Sequence, residues 1–194
     1  MSTILTLAQA LGVAWASGIS TYATVAIVGL AVKLGWVAHP PAGLEGVAQW
    51  WVIGLATVLY LFEFLATLIP GVASAWETFH SGVRPLAGAA LAAATAWHGD
   101  ATITAVAALL GGSLALGTHA TKLGLRYAID TSPEPVTNGV ANVAELTMVA
   151  TITLAVWHHP YIALAVALTL LFLGALAARA LWKALRRLFR PRGA

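Results

Sequence analysis

The chain has 194 residues, of which 60% are hydrophobic and 9% charged, with a mean hydropathy of +0.86. A soluble domain carries roughly a quarter charged residues, so this composition excludes an ordinary soluble fold and implies one domain, residues 1–194, solvated by lipid. The formal net charge of +3 does not point to nucleic acid, because five of the ten basic residues (Lys183, Arg186, Arg187, Arg190 and Arg192) cluster in the tail 183–194.

That cluster follows an apolar stretch, which is the positive-inside pattern and places the C-terminus in the cytoplasm, within reach of anionic lipid headgroups. The absence of cysteine excludes disulfides, thiolate metal sites and cysteine nucleophiles. The N-terminal stretch MSTILTLAQALGVAWASG lacks a basic leader and runs on into apolar sequence, so it is expected to be retained.

In chain order, residues 3–37 are apolar almost throughout. One straight helix of that length would exceed about 50 Å, against a hydrocarbon core of about 30 Å. A break is therefore expected at Ser17-Gly18-Ile19-Ser20-Thr21, with 3–16 interfacial or re-entrant and 18–36 the first full span. A loop carries Trp36, His39-Pro40-Pro41 and Glu45, and the second span runs from Val47 to Ile69 with Glu63 inside it. Pro70-Gly71 interrupts that helix, and 71–83 is predicted to be a short helix, separate from the second span, that does not cross the membrane.

The alanine- and glycine-rich stretch Leu86–Trp97 is too short for a span; it is expected to lie buried among neighbours or to extend backward through Arg84. After His98-Gly99-Asp100, with Asp100 or Thr102 as the cap, a helix from 101 continues through His119, Lys122 and Arg126. Asp130–Pro135 ends it, Ser132 and Pro133 being placed to start the next helix. That helix turns at His158-His159-Pro160, and 161–182 form the last span.

The fold class is thus all-α: a polytopic membrane bundle of about six spans with broken or re-entrant helices. The N-terminal side of the first span and the basic tail are both expected on the cytoplasmic side, with Trp36, Trp50, Trp51, Trp97 and Trp157 at the outer interface. A short likeness between Thr21-Tyr22-Ala23-Thr24 and Thr118-His119-Ala120-Thr121, half a chain apart, is the kind of match that inverted repeats with paired broken helices leave.

The strings LFEFLATLIPGVASAWETFHSGVRPLAGA, GTHATKLGLRYAIDTSPEP and SGISTYAT resemble a family of bacterial integral membrane proteins, the domain-of-unknown-function 4126 family, over nearly the whole chain. The resemblance implies a small multi-spanning protein of the bacterial inner membrane and carries over no catalytic residue. The order acid, Pro-Gly break, arginine, small-residue helix is also similar to the re-entrant hairpins of DedA-type lipid translocases, by analogy alone.

Three polar stripes stand at helical spacing: Glu77, His80 and Arg84; His119, Lys122 and Arg126; and Asn138, Asn142 and Glu145. Ionisable groups at membrane depth sit in a protein interior or a wet cavity, paired with one another, so the stripes are expected to meet Glu63 in one buried network. Arg84, His119, Lys122, Arg126, Asn138 and Asn142 are the candidate substrate-binding set, suited to phosphate or carboxylate. Glu63, Glu77, His80 and Glu145 are the candidate proton-coupling set.

These point to a transporter or translocase of a small anionic solute or a lipid carrier, with proton coupling as an option. The alternatives are a non-transporting scaffold or complex subunit, in which the stripes form a structural plug, and an intramembrane lipid-modifying enzyme. No catalytic set, metal site or cofactor is expected, since neither an HExxH motif nor a nucleophile elbow is present. The expected partners are membrane lipids, a small anionic substrate and further copies of the chain.

Overall fold

The structure, a computed structural model, describes residues 3–69, 71–97, 100–129 and 135–188. They form seven α-helices: α1 (Thr3–Ile19), α2 (Thr21–Lys33), α3 (Trp50–Ala66), α4 (Val72–Thr95), α5 (Ala101–Ile129), α6 (Pro135–His158) and α7 (Pro160–Leu188), with a short 3₁₀ turn at Ala42–Leu44. The all-α bundle read from the sequence is what the chain forms. Three of the described helices are long and apolar enough to cross a membrane, over Ala101–Tyr127, Val136–His158 and Pro160–Ala177.

α1 is the centre of the bundle and packs against α4, α5, α6 and α7. Its Ala8, Ala10, Gly12, Ala14, Ala16 and Gly18 are buried on every side, as befits a helix apolar all round. Glycine permits its closest approaches: a Cβ at Gly18 would stand 2.6 Å from the Ala115 carbonyl oxygen.

The break in the first apolar stretch falls at Ser20, whose φ of −146° and ψ of 106° are extended. Beyond it the chain turns back. Gly12 faces Val156, Gly29 faces Val47 and Ile53, and Val13 and Val28 share one core cluster with Val156 and Ala163. α1 and α2 are therefore a re-entrant hairpin with its tip at Ser20: of the two expectations for 3–16 the re-entrant one fits, whereas α2 is its second arm and not a full span over 18–36. Leu7, near the start of α1, packs with Ala96 and Ile103 beside the α4–α5 turn.

The first helical residue described thus lies at the end where α2–α3, α4–α5 and α6–α7 connect and where Trp36, Trp50, Trp51 and Trp97 are exposed. The basic end of α7 lies at the opposite end. The start of α2 thus shares an end with the basic end of α7, while the start of α1 lies at the other end, because the chain turns back at Ser20.

α2 stops at Lys33 in a Schellman ending, with Gly35 at φ +74° and its N–H, like that of Trp36, donating back to Val32 and Ala31. α3 ends at Thr67, and Gly71 at φ +82° starts α4; Pro70 lies outside the described residues. Residues 72–83 are thus separate from α3, the second span, but do not form a short helix of their own: α4 runs unbroken through Pro85 to Thr95, the stretch 86–97 extending backward through Arg84. Its continuation is held by small residues, for a Cβ on Gly88 would stand 2.3 Å from that of Ala115 on α5. The turn that bears Arg84 is thereby held against α1.

Asp100 caps α5 by accepting from the Thr102 and Ile103 amides. Thr118–Thr121 sit within the uninterrupted α5, so the second half-chain has no counterpart of the Ser20 break. Ser132, Pro133, His98-Gly99 and the basic residues Arg190 and Arg192 lie outside the described residues.

Candidate functional site

The hairpin tip sets up the site. Helix ends leave carbonyls without intrahelical donors, and in α1 these are taken by side chains. Ser17 O accepts from Thr21 Oγ1 at 3.0 Å, Gly18 O from Arg84 Nη1 at 3.4 Å and Ile19 O from Lys122 Nζ at 2.7 Å. The negative end of the α1 dipole thus faces two cations. Ser20 caps α2 and donates to Glu63 Oε2 at 2.8 Å, bringing α3 into the same place.

α4 supplies Glu77 and Arg84 from one face, two turns apart. Arg84 Nη2 is 2.5 Å from Glu63 Oε1, and Nη1 is 2.8 Å from Glu77 Oε2. α5 supplies Lys122, whose ammonium lies 2.7 Å from Glu77 Oε1 and 3.0 Å from Glu145 Oε2. Arg126 reaches Glu145 Oε1 through Nη2 at 2.8 Å, and donates to Asn142 Oδ1 and Asn138 Oδ1 on α6. Asn142 in turn donates to Phe64 O and accepts from Thr67 Oγ1, both at 3.1 Å.

Three carboxylates (Glu63, Glu77, Glu145) therefore face three cations (Arg84, Lys122, Arg126), and the cluster sums to zero charge. Neutrality, with hydrogen bonds to the remaining lone pairs, is what allows such groups to stay buried. Arg84 and Glu77 are wholly buried.

His119 Nδ1 stands 3.2 Å from Arg84 Nη1, and Nε2 stands 2.9 Å from Ser81 Oγ. Because a guanidinium only donates, Nδ1 is the acceptor and Nε2–H donates to Ser81. His80 faces elsewhere: Nδ1–H donates to Trp76 O at 2.8 Å, and Nε2 accepts from the Tyr22 hydroxyl at 3.1 Å. His80 and Glu77 are thus engaged with different partners and make no metal pair. Among the described residues no three His, Asp or Glu side chains converge on a metal position.

The structure brings Arg84, His119, Lys122, Arg126, Asn138, Asn142, Glu63, Glu77 and Glu145 into one connected cluster, with His80 alongside but bonded outside it. Sequence reasoning missed Ser20, Ser81, Thr67, Tyr22 and the carbonyls of Gly18 and Ile19. Only the string Ser17–Thr21 carried a signal, as a break; the rest are small polar residues that look the same in any helix.

Beside the cluster a cavity of about 430 Å³ lies between α1, α5, α6 and α7, with Trp15, Met148, Leu171 and Gly174 among its walls and Lys122, Arg126 and Glu145 along one side.

A helical bundle that spends its apolar surface outward and buries its charges inward is a membrane protein. A family model described as a domain of unknown function, DUF4126, matches residues 7–180, and the chain belongs to that family. No curated protein and no solved structure matches it.

Proposed function

We propose that this protein is a transporter or translocase of a small anionic solute or a lipid carrier, with Glu145 and its neighbours coupling movement to protons. The observation that carries this reading is the re-entrant hairpin whose tip rests on a neutral cluster of six buried charges. Broken helices with their ends aimed at a charged site are how many secondary transporters build a substrate position. Charges that can exchange partners at little net cost allow such a tip to move.

The basic tail favours a cytoplasmic C-terminus, in a protein that crosses the bacterial inner membrane several times. The cluster then lies in the cytoplasmic half. Arg84, Lys122, Arg126, His119, Asn138 and Asn142 act as the anion-side groups, and Glu63, Glu77 and Glu145 as the proton carriers.

One observation favours the scaffold reading. The six charges saturate one another and tie α1, α3, α4, α5 and α6 together, which a structural lock would also do.

Reconstituted vesicles separate the two. A trapped pH-sensitive dye reports proton uptake driven by phosphate or sulfate gradients, and dithionite bleaching of an NBD-labelled acidic lipid reports its movement between leaflets. Activity in either assay that Lys122→Met abolishes while the protein stays folded supports the proposal. Wild-type protein silent in both leaves the lock.

A further inference from the structure

We propose that the cavity between α5, α6 and α7 holds the apolar chain of an acidic amphiphile, whose anionic head displaces Glu145 from Lys122 and Arg126. The inference rests on the translocase reading and gives it a ligand class.

The cavity, about 430 Å³ in volume, falls within the range of roughly 300–1,000 Å³ usual for small-molecule sites. Its walls are apolar except for Lys122, Arg126 and Glu145 and for Thr118 and Thr121, whose hydroxyls are spent on the Leu114 and Gly117 carbonyls of their own helix. It opens sideways, since Leu173 at its rim is 54% exposed and Ala177 is exposed too. An occupant entering from the bilayer therefore leads with an apolar chain and carries one polar end. A water-soluble anion has no use for such walls.

The polar end is identified by what Glu145 does now. Its carboxylate is gripped by Lys122 Nζ at 3.0 Å, Arg126 Nε at 3.0 Å and Arg126 Nη2 at 2.8 Å. Both Arg126 nitrogens converge on Oε1 while Lys122 takes Oε2, so each carboxylate oxygen is held by a cation, as the charged oxygens of an acidic headgroup would be. Glu145 is also the most exposed charged member of the cluster, its side chain being 17% accessible against 6% for Lys122 and 1% for Arg126. It occupies an anion position at the edge of the cavity and is the group best placed to leave it.

With the Glu145 carboxylate displaced from the cluster, Glu63 and Glu77 stand against Arg84, Lys122 and Arg126, an excess of one positive charge. A singly charged head restores neutrality. The titratable and charged groups facing Glu145 are Lys122 and Arg126 from α5, Tyr60 and Glu63 from α3, and Glu77 from α4 across Lys122. α1 and α7 line the cavity with Trp15, Ile19, Leu170, Leu171, Leu173, Gly174 and Ala177, none of which titrates.

The test uses the full chain in neutral detergent and two photoreactive probes, hexadecyl sulfonate and hexadecanol, each with a mid-chain diazirine. Sulfonate stays ionised throughout, so the two probes differ by one negative charge at the head. Adducts are mapped by mass spectrometry, without any transport step, so binding is judged apart from movement.

The sulfonate is expected to label 118–126, 144–148 and 170–177. In Glu145→Gln the labelling is expected to reach half-maximum at about tenfold less probe, because the competing carboxylate is gone. Gly174→Phe, whose side chain fills the cavity, removes the adducts. Hexadecanol labelling those peptides as strongly as the sulfonate, or Glu145→Gln labelling at the wild-type dose, overturns the proposal in favour of a seam filled by bulk lipid. Cavity labelling with the expected charge dependence in vesicles that show no transport would keep the site and remove the translocase reading.

Discussion

Arg84 is the residue on which most of the cluster depends. It touches Glu63, Glu77, His119 and the Gly18 carbonyl from a fully buried position. Its removal would leave two carboxylates short of their cation inside an apolar bundle, and breaking a buried pair from one side costs about 3–5 kcal/mol. Arg84→Ala should accordingly lower the melting temperature in detergent far more than Arg179→Ala, since Arg179 is exposed on α7 and such changes cost about 0–1 kcal/mol. Arg84→Lys keeps the charge but not the fork, and should fall between them. An Arg84→Ala protein that melts like wild type would mean that water reaches the site. Ser20 offers a finer probe, because it both caps α2 and donates to Glu63. Loss of a cap and of one donor to a buried carboxylate should cost Ser20→Ala about 1–3 kcal/mol, read by the same melts.

Among the elements, what could be read from the sequence depended on whether the signal was local. The stripes on α4, α5 and α6 were legible because charged residues at helical spacing in apolar sequence have few places to go but towards one another. The break near Ser20 was legible as well, since 35 apolar residues cannot make one span. The reversal of the chain at that point was not. A single extended residue permits many exit directions, and the one taken is chosen by α6 and α3, against which α1 and α2 pack.

Pro85 misled for a related reason. Proline marks a helix end in isolation, but α4 is held straight through it by the close seat of Gly88 and Ala92 on Gly111 and Ala115. That seat is testable. Gly88→Ala would force a Cβ to within 2.3 Å of Ala115, and overpacking of this kind costs about 1–3 kcal/mol. Gly54→Ala on α3 meets nothing within 4 Å and should leave stability unchanged or raise it by about 0.4–1 kcal/mol. Equal melting of the two variants would mean that α4 and α5 do not pack this closely.

For the whole molecule the re-entrant hairpin decides which ends share a side. α1 has 17 residues and α2 has 13, lengths of roughly 25 and 20 Å at 1.5 Å per residue. α2 falls well short of a hydrocarbon core of about 30 Å, and α1 meets it at the same tip, Ser20. Irregular backbone at that depth is tolerated only where protein or a wet cavity surrounds it, which accounts for the side-chain partners found for Ser17, Gly18 and Ile19. The chain leaves the hairpin at the end where it began, so the start of α1 shares a side with the α2–α3 turn and not with the α3–α4 turn or the start of α6. Because the protein has no cysteine, single cysteines at the exposed positions Thr3, Ala42, Val72 and Val136 report this cleanly. An impermeant maleimide applied to intact cells should label Thr3→Cys and Ala42→Cys together, and Val72→Cys and Val136→Cys only after the cells are opened. The pairing holds whichever way the protein is inserted, so it tests the hairpin separately from the orientation that the basic tail favours. Thr3→Cys behaving like Val72→Cys would mean that α1 crosses the bilayer and that Ser20 lies in a kinked span.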